Sequence, residues 1–206
     1  MDSVSALRVD LARRSKWNIG YLVAGLVYWS FAAIVGAMFP MESAKVLWMI
    51  GGFTVFPMAI GFSYALRADP FCKGNPLGSL MGLAHGGMIG LSTPLLIALF
   101  RDHPMALPLC AAIVFGASFT VFFWAFGDPI FLAHIIVRVA GVTAIWFAMP
   151  AYRFSVLPAF VAALYLITFL LLPARRQRWL DVQLPVSASE DAMSLRGCQA
   201  EELGLH

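Results

Sequence analysis

The chain separates its apolar and polar positions into long blocks rather than alternating them one by one. Six nearly uninterrupted hydrophobic runs fall at residues 19–39, 46–66, 77–100, 107–126, 130–149 and 154–172. At about 1.5 Å rise per residue, roughly 20 residues of helix cover about 30 Å, the thickness of a bilayer's hydrocarbon layer. The short alternating segments of a transmembrane barrel are a different pattern. Lipid offers exposed backbone no hydrogen bonds, so runs of this length cross it as helices. The pattern therefore predicts an all-α fold, a polytopic transmembrane helix bundle of six spans.

Three regions follow from the same pattern: an N-terminal segment, 1–16, a six-helix transmembrane domain, 17–172, and a tail, 173–206. In the first, Val4, Leu7 and Leu11 stand at helical spacing opposite Arg8. A short helix on the inner membrane surface and a frayed terminus both fit that spacing. The tail turns polar beyond Trp179 and Leu180 and is expected to be disordered. The first hydrophobic run exceeds the roughly 7–15 residues of an export-signal core and carries Tyr21, Tyr28 and Trp29, so it reads as a retained span.

Composition sharpens the class: 61% of residues are hydrophobic and 12% charged, where soluble domains carry about 25% charged residues. Lys and Arg are distributed unevenly between the two sides. Arg8, Arg13, Arg14, Lys16, Arg67, Lys73, Arg175, Arg176 and Arg178 fall on one side, and Lys45, Arg101 and Arg153 on the other. Positive charge near span ends is retained in the cytoplasm, so both termini are expected there. The net charge of +3 is accounted for by topology, and nucleic acid is not expected as a partner. Cys72, Cys110 and Cys198 form no CxxC pair, and neither a disulfide framework nor a metal site is expected.

The third run has a repeat of its own, with Gly78, Gly82, Gly86 and Gly90 at every fourth position. A mid-helix Gly costs about 1 kcal/mol relative to Ala in water. Four on one face predict close helix packing of the small-xxx-small kind, in a static core, a dimer contact or a sliding helix. Just before it, Lys73-Gly74-Asn75-Pro76 reads as a turn, an Asn cap and a proline at the first helical position, and Asp128-Pro129 repeats the device at the fifth run. Lys73 beside the free amides after Asn75 is a candidate anion site, with plain capping as the alternative.

Arg138 is the costliest residue. Counted from Pro129, it lies about 13–14 Å into its span, where an arginine costs roughly 2.5–3.5 kcal/mol on insertion scales. No Asp or Glu stands inside any of the six runs to neutralise it. His134 is one turn earlier on the same face, and His85, Ser118, Thr120 and Tyr165 lie at comparable depth. These residues predict a polar pocket opening toward the cytoplasm, with Asp128 near its mouth, that favours an anionic small molecule or lipid headgroup. The alternative is structural: Arg138 donates to neighbouring carbonyls and hydroxyls, and the histidines stay neutral. No GxSxG, HExxH or paired-acid signature accompanies them, so neither catalysis nor a cofactor is expected.

The stretch Phe71-Cys72-Lys73-Gly74-Asn75-Pro76-Leu77-Gly78-Ser79-Leu80, together with Phe115-Gly116-Ala117-Ser118-Phe119, resembles a family of small bacterial multi-span membrane proteins of unknown function. The resemblance covers about residues 16–172. It implies a six-helix membrane fold and a bacterial inner (plasma) membrane location, and it transfers no substrate or catalytic residue. Two functional readings follow. One is a small transport or ligand-binding membrane protein with its pocket around Arg138, His134, His85 and Ser118, and with Lys73 and Asn75 as further candidate ligand-binding residues. The other is a non-catalytic scaffold or accessory protein packed through the glycine-striped helix, with a second copy of the chain as a candidate partner.

Overall fold

A computed structural model describes the backbone of residues 4–202 and the side chains of residues 4–183. The described residues form helices joined by short turns, without strands: α1 (Val4–Ser15), α2 (Ile19–Met38), α3 (Met41–Ala65), α4 (Pro76–Asp102), α5 (Leu107–Ala117), α6 (Phe119–Phe126), α7 (Pro129–Ala148) and α8 (Val156–Glu202). Six of the resulting rods are long and apolar enough to cross a membrane, α5 and α6 together making the fourth. The all-α six-span reading is therefore correct.

Two starts follow directly from local sequence. Asn75 accepts from the amides of Leu77 (3.0 Å) and Gly78 (3.3 Å), and Pro76 takes the position whose N–H would be unpaired. Asp128 accepts from the Ile130 amide at 2.8 Å ahead of Pro129. Gly127 turns the chain there with φ +69°, a conformation open to glycine.

α2 is the central rod, packed against α3 and α8, while α7 lies against α5, α6 and α8. α4 leans on α5, α6 and α1, and α3 packs mainly on α2. Consecutive in sequence, α3 and α4 barely touch. Each also has a proline inside it, Pro57 and Pro94, and each proline removes one backbone hydrogen bond from its helix.

α1 is docked on protein. Leu11 and Ala12 are fully buried, facing α8, α4 and α6. Arg14 Nη2 donates to Asp69 Oδ2 (2.6 Å), Asn75 Nδ2 to the Leu7 carbonyl (2.9 Å) and Asp10 Oδ2 (2.8 Å), and Arg176 Nε to the Ala12 carbonyl (2.9 Å). Between α1 and α2 the chain reverses through three consecutive left-handed residues that are not glycine, Lys16, Trp17 and Asn18, with φ of 48°, 58° and 55°. Such residues cost roughly 1–2 kcal/mol each. Trp17 offsets that cost: it is fully buried, with Phe126, Phe131 and Trp179 rings 5.6–5.9 Å away.

The sixth span does not stop at Leu172. Pro173 does not end the helix, and α8 carries Arg176 and Trp179 onto the α1 end of the bundle and Arg175 onto the start of α7. The side chains of residues 184–206 lie outside the described residues, and with them the expectation of a disordered tail there.

Candidate functional site

α7 buries Phe131, His134, Arg138 and Val142, a stripe at spacings of three and four that places both polar side chains on the face turned to the core. Arg138 is completely buried. Its Nη1 donates to Tyr165 Oη at 3.3 Å, and its guanidinium carbon stands 5.1 Å from the Trp29 ring centre and 5.4 Å from that of Tyr165. Nε and Nη2 have no hydrogen-bond partner among the described residues, and no carboxylate reaches the group. A guanidinium tolerates such a site better than an ammonium because it is weakly hydrated and stacks on aromatic faces.

His134 extends the cluster. Its Nδ1 lies 2.8 Å from Thr168 Oγ1, and its ring stacks on Phe119 at 4.0 Å and meets Tyr165 edge-on at 5.1 Å. His85 belongs to a separate layer, stacked on Phe122 at 5.4 Å with Tyr21 against its edge. Phe119 and Phe122, 5.5 Å apart, link the two histidines through rings alone.

The remaining polar residues are engaged elsewhere. Ser118 donates to the Phe115 carbonyl (2.7 Å) and Thr120 to the Ala117 carbonyl (2.6 Å), where the fourth span breaks into α5 and α6. Asp128 pairs with Arg175 at 3.0 Å and ties α7 to α8. The single cytoplasm-facing pocket expected from His85, Ser118, Thr120, His134 and Arg138 is thus not formed; only Arg138, His134 and Tyr165 come together.

Two further expectations change. Lys73 is exposed and Asn75 is buried. The amides after Asn75 are taken by its own side chain and, for Ser79, by its carbonyl, and Asp10 stands beside them, so no free amide faces Lys73. Of the glycine stripe, Gly78 alone is packed: a Cβ there would lie 3.0 Å from Cys72 Cβ and 3.4 Å from Leu11 Cδ1. A Cβ at Gly82, Gly86 or Gly90 would meet nothing within 4 Å. α4 turns Met81, His85 and Leu96 inward instead, so Gly82, Gly86 and Gly90 point away from the bundle and pack against no helix among the described residues.

A ring-lined cavity lies elsewhere, between α3 and α4. It measures about 130 Å³, close to an engineered apolar cavity of about 150 Å³ that holds benzene. α2 contributes Tyr28 and Trp29, α3 Trp48, Phe53 and Phe56, α4 Thr93, α5 Phe115 and α8 Tyr165. Phe53 and Phe56 are exposed, so the cavity opens sideways through the gap between α3 and α4, toward lipid. Sequence could not single out these rings, because an apolar side chain within a span looks the same whether it faces lipid, core or cavity. The two mid-span prolines were the available hint.

Trp29 and Tyr165 serve both features: each lines the cavity and each lies against Arg138. The site is therefore an aromatic, laterally open cavity backed by an unneutralised buried cation.

Fold and site together define a multi-pass membrane protein of helical-bundle type. Residues 4–175 match the model of a family of unknown function (DUF7010), and the chain belongs to that family. No curated protein and no solved structure matches it.

Proposed function

We propose that the protein binds an apolar ligand drawn sideways from the bilayer into the aromatic cavity between α3 and α4. The observation that carries this reading is the pairing of an open, ring-lined space with a cation that has two unpaired donors just behind its wall. Pockets for small molecules are mostly apolar with a few convergent polar groups, and an ionisable residue inside a membrane marks a functional site by default. Binding serves transport, sensing or delivery equally. The asymmetry of Lys and Arg favours a plasma-membrane orientation with both termini cytoplasmic.

The test is retention of ligand. Gly52 lines the cavity, and a Cβ there would stand 3.8 Å from Tyr28 Oη, so Gly52→Leu grows into the space without a backbone clash. Native mass spectrometry from mild detergent should show a bound small molecule on the wild type and its loss from Gly52→Leu. Equal spectra, with nothing bound to either, would remove the reading.

A second reading, a scaffold, draws on the outward stripe of Gly82, Gly86 and Gly90 on α4. Replacing Gly86 with Leu leaves the monomer fold untouched and separates the two: a changed oligomer size in detergent favours the scaffold, and an unchanged size favours the cavity.

A further inference from the structure

The cavity reading leaves the chemistry of the occupant open, and the polar atoms around the cavity narrow it. Arg138 Nη1 donates to Tyr165 Oη. The phenol oxygen thus acts as acceptor toward the cation, and its own hydrogen is left to be donated. Tyr165 is buried and lines the cavity, and its hydroxyl meets no acceptor among the described residues, so an occupant of the cavity can supply one. Behind the ring, Nε and Nη2 of a fully buried Arg138 are donors in want of acceptors. On the other wall, Tyr28 Oη lies 3.3 Å from the Trp48 carbonyl, to which it donates. The Trp48 indole N–H is committed to the Ala32 carbonyl at 2.9 Å, and Thr93 Oγ1 to that of Ile89 at 2.9 Å. On the cavity wall the unspent capacity is the Tyr165 hydroxyl hydrogen, and behind it lie the free donors of Arg138 together with His134 Nε2, whose role depends on the tautomer.

Resting on the cavity reading, we infer that the ligand is an amphiphile with a ring-sized or chain-like apolar body and one oxygen acceptor, a carbonyl or carboxylate. The acceptor docks on the Tyr165 hydroxyl, which Arg138 polarises from behind the cavity wall, and the body lies among the aromatic rings with its far end directed to lipid between α3 and α4. A hydrogen bond to Tyr165 is strengthened because Arg138 polarises the same hydroxyl. A hydrocarbon of the same shape gains the burial and leaves every donor unpaired, which is the stronger source of discrimination. A lipid-borne carbonyl and a free carboxylate share this chemistry.

The test uses the full chain in nanodiscs and three probes of one shape: 4-butylbenzoate, 4-butylacetophenone and 4-butyltoluene. Binding is followed by ligand-detected NMR. The two oxygen-bearing probes should bind about tenfold more tightly than the hydrocarbon, the ratio one charge-assisted hydrogen bond supplies. Tyr165→Phe keeps the ring and should bring that ratio below about threefold. Preference for the benzoate over the ketone identifies a free acid, and equal preference a carbonyl. Equal binding of all three probes overturns the acceptor inference and leaves the cavity standing. Binding of none overturns both. An unchanged ratio in Tyr165→Phe also overturns the inference, provided that variant elutes and melts as the wild type does.

Discussion

Gly116 on α5 is where Arg138 on α7 finds room: a Cβ added at residue 116 would lie 3.0 Å from Arg138 Cδ and 3.1 Å from Nε. The span that breaks at Ser118 is thus the one that makes way for the buried cation. Gly116→Ala should lower stability by about 1–3 kcal/mol through overpacking. A double-mutant cycle with Arg138→Ala checks the cause, since the cost of Gly116→Ala should vanish once the long side chain is gone. A cost that persists would place the strain elsewhere.

Arg138 itself should be dispensable for folding. Removing one partner of a buried ion pair is costly because it strands a charge, whereas Arg138 has no acid to strand. Arg138→Met keeps the volume and removes the desolvation penalty. Its melting temperature in detergent should equal or exceed that of the wild type, with ligand retention lost. A marked fall in melting temperature would make the residue structural.

The loop between α3 and α4 is organised around Asp69, which accepts from Arg14 (2.6 Å) and from the amides of Phe71 and Cys72 (both 3.0 Å). Desolvation pushes its carboxyl up, but the hydrogen bonds outweigh it and the net shift is downward. A carboxyl held low stabilises the fold above its unfolded pKa, about 3.9, and the contribution is lost as pH falls through the lower folded value. Asp69→Asn should therefore melt below the wild type near neutral pH, and the gap should close in acid below about pH 4. A gap independent of pH would refute the assignment.

Cys72 is buried beside this carboxylate, and burial first, then Asp69, pushes its thiol up to about 11. The thiolate is the reactive form. At mildly alkaline pH a maleimide should label Cys72 only after denaturation, and Asp69→Asn should speed its labelling in any partly opened state. Prompt labelling of the folded wild type would contradict this burial.

Trp17 holds the left-handed reversal between α1 and α2. Trp17→Ala should cost about 3–5 kcal/mol, as for a large core aromatic, and should release α1 to protease. Cleavage after Arg13 or Arg14, read by mass, reports that release. If the variant keeps α1 protected, the reversal has another anchor.

Much of this architecture was legible in advance, for a physical reason. Lipid forces backbone pairing into the rod itself, so the six runs mark six helices, and the caps at Asn75 and Asp128 place two of their starts, while the start of α3 and the end of α8 lie well outside their runs. The reversal at Lys16, Trp17 and Asn18 was not legible, because no glycine announces its positive φ angles and only tertiary burial of Trp17 compensates for them. The depth of Arg138 was also readable, as was its nearness to His134. What linear position could not supply was rotation about each axis. Gly82, Gly86 and Gly90 form a stripe in either orientation, and only packing shows that α4 turns its methionine and histidine inward instead. The same ignorance of rotation hid the cavity, whose rings resemble every other aromatic in a span.

The clasp around α1 bears on how the chain is made. Ala12 and Trp17 leave the ribosome early, yet they are held by Arg176 and Trp179, which belong to the later part of the sixth rod and emerge after the other five. Synthesis proceeds from the N-terminus, so this end of the bundle closes last. Until then the first helix waits with part of its buried face uncovered, and a chain cut just before Arg176 should insert its rods yet never shut this end.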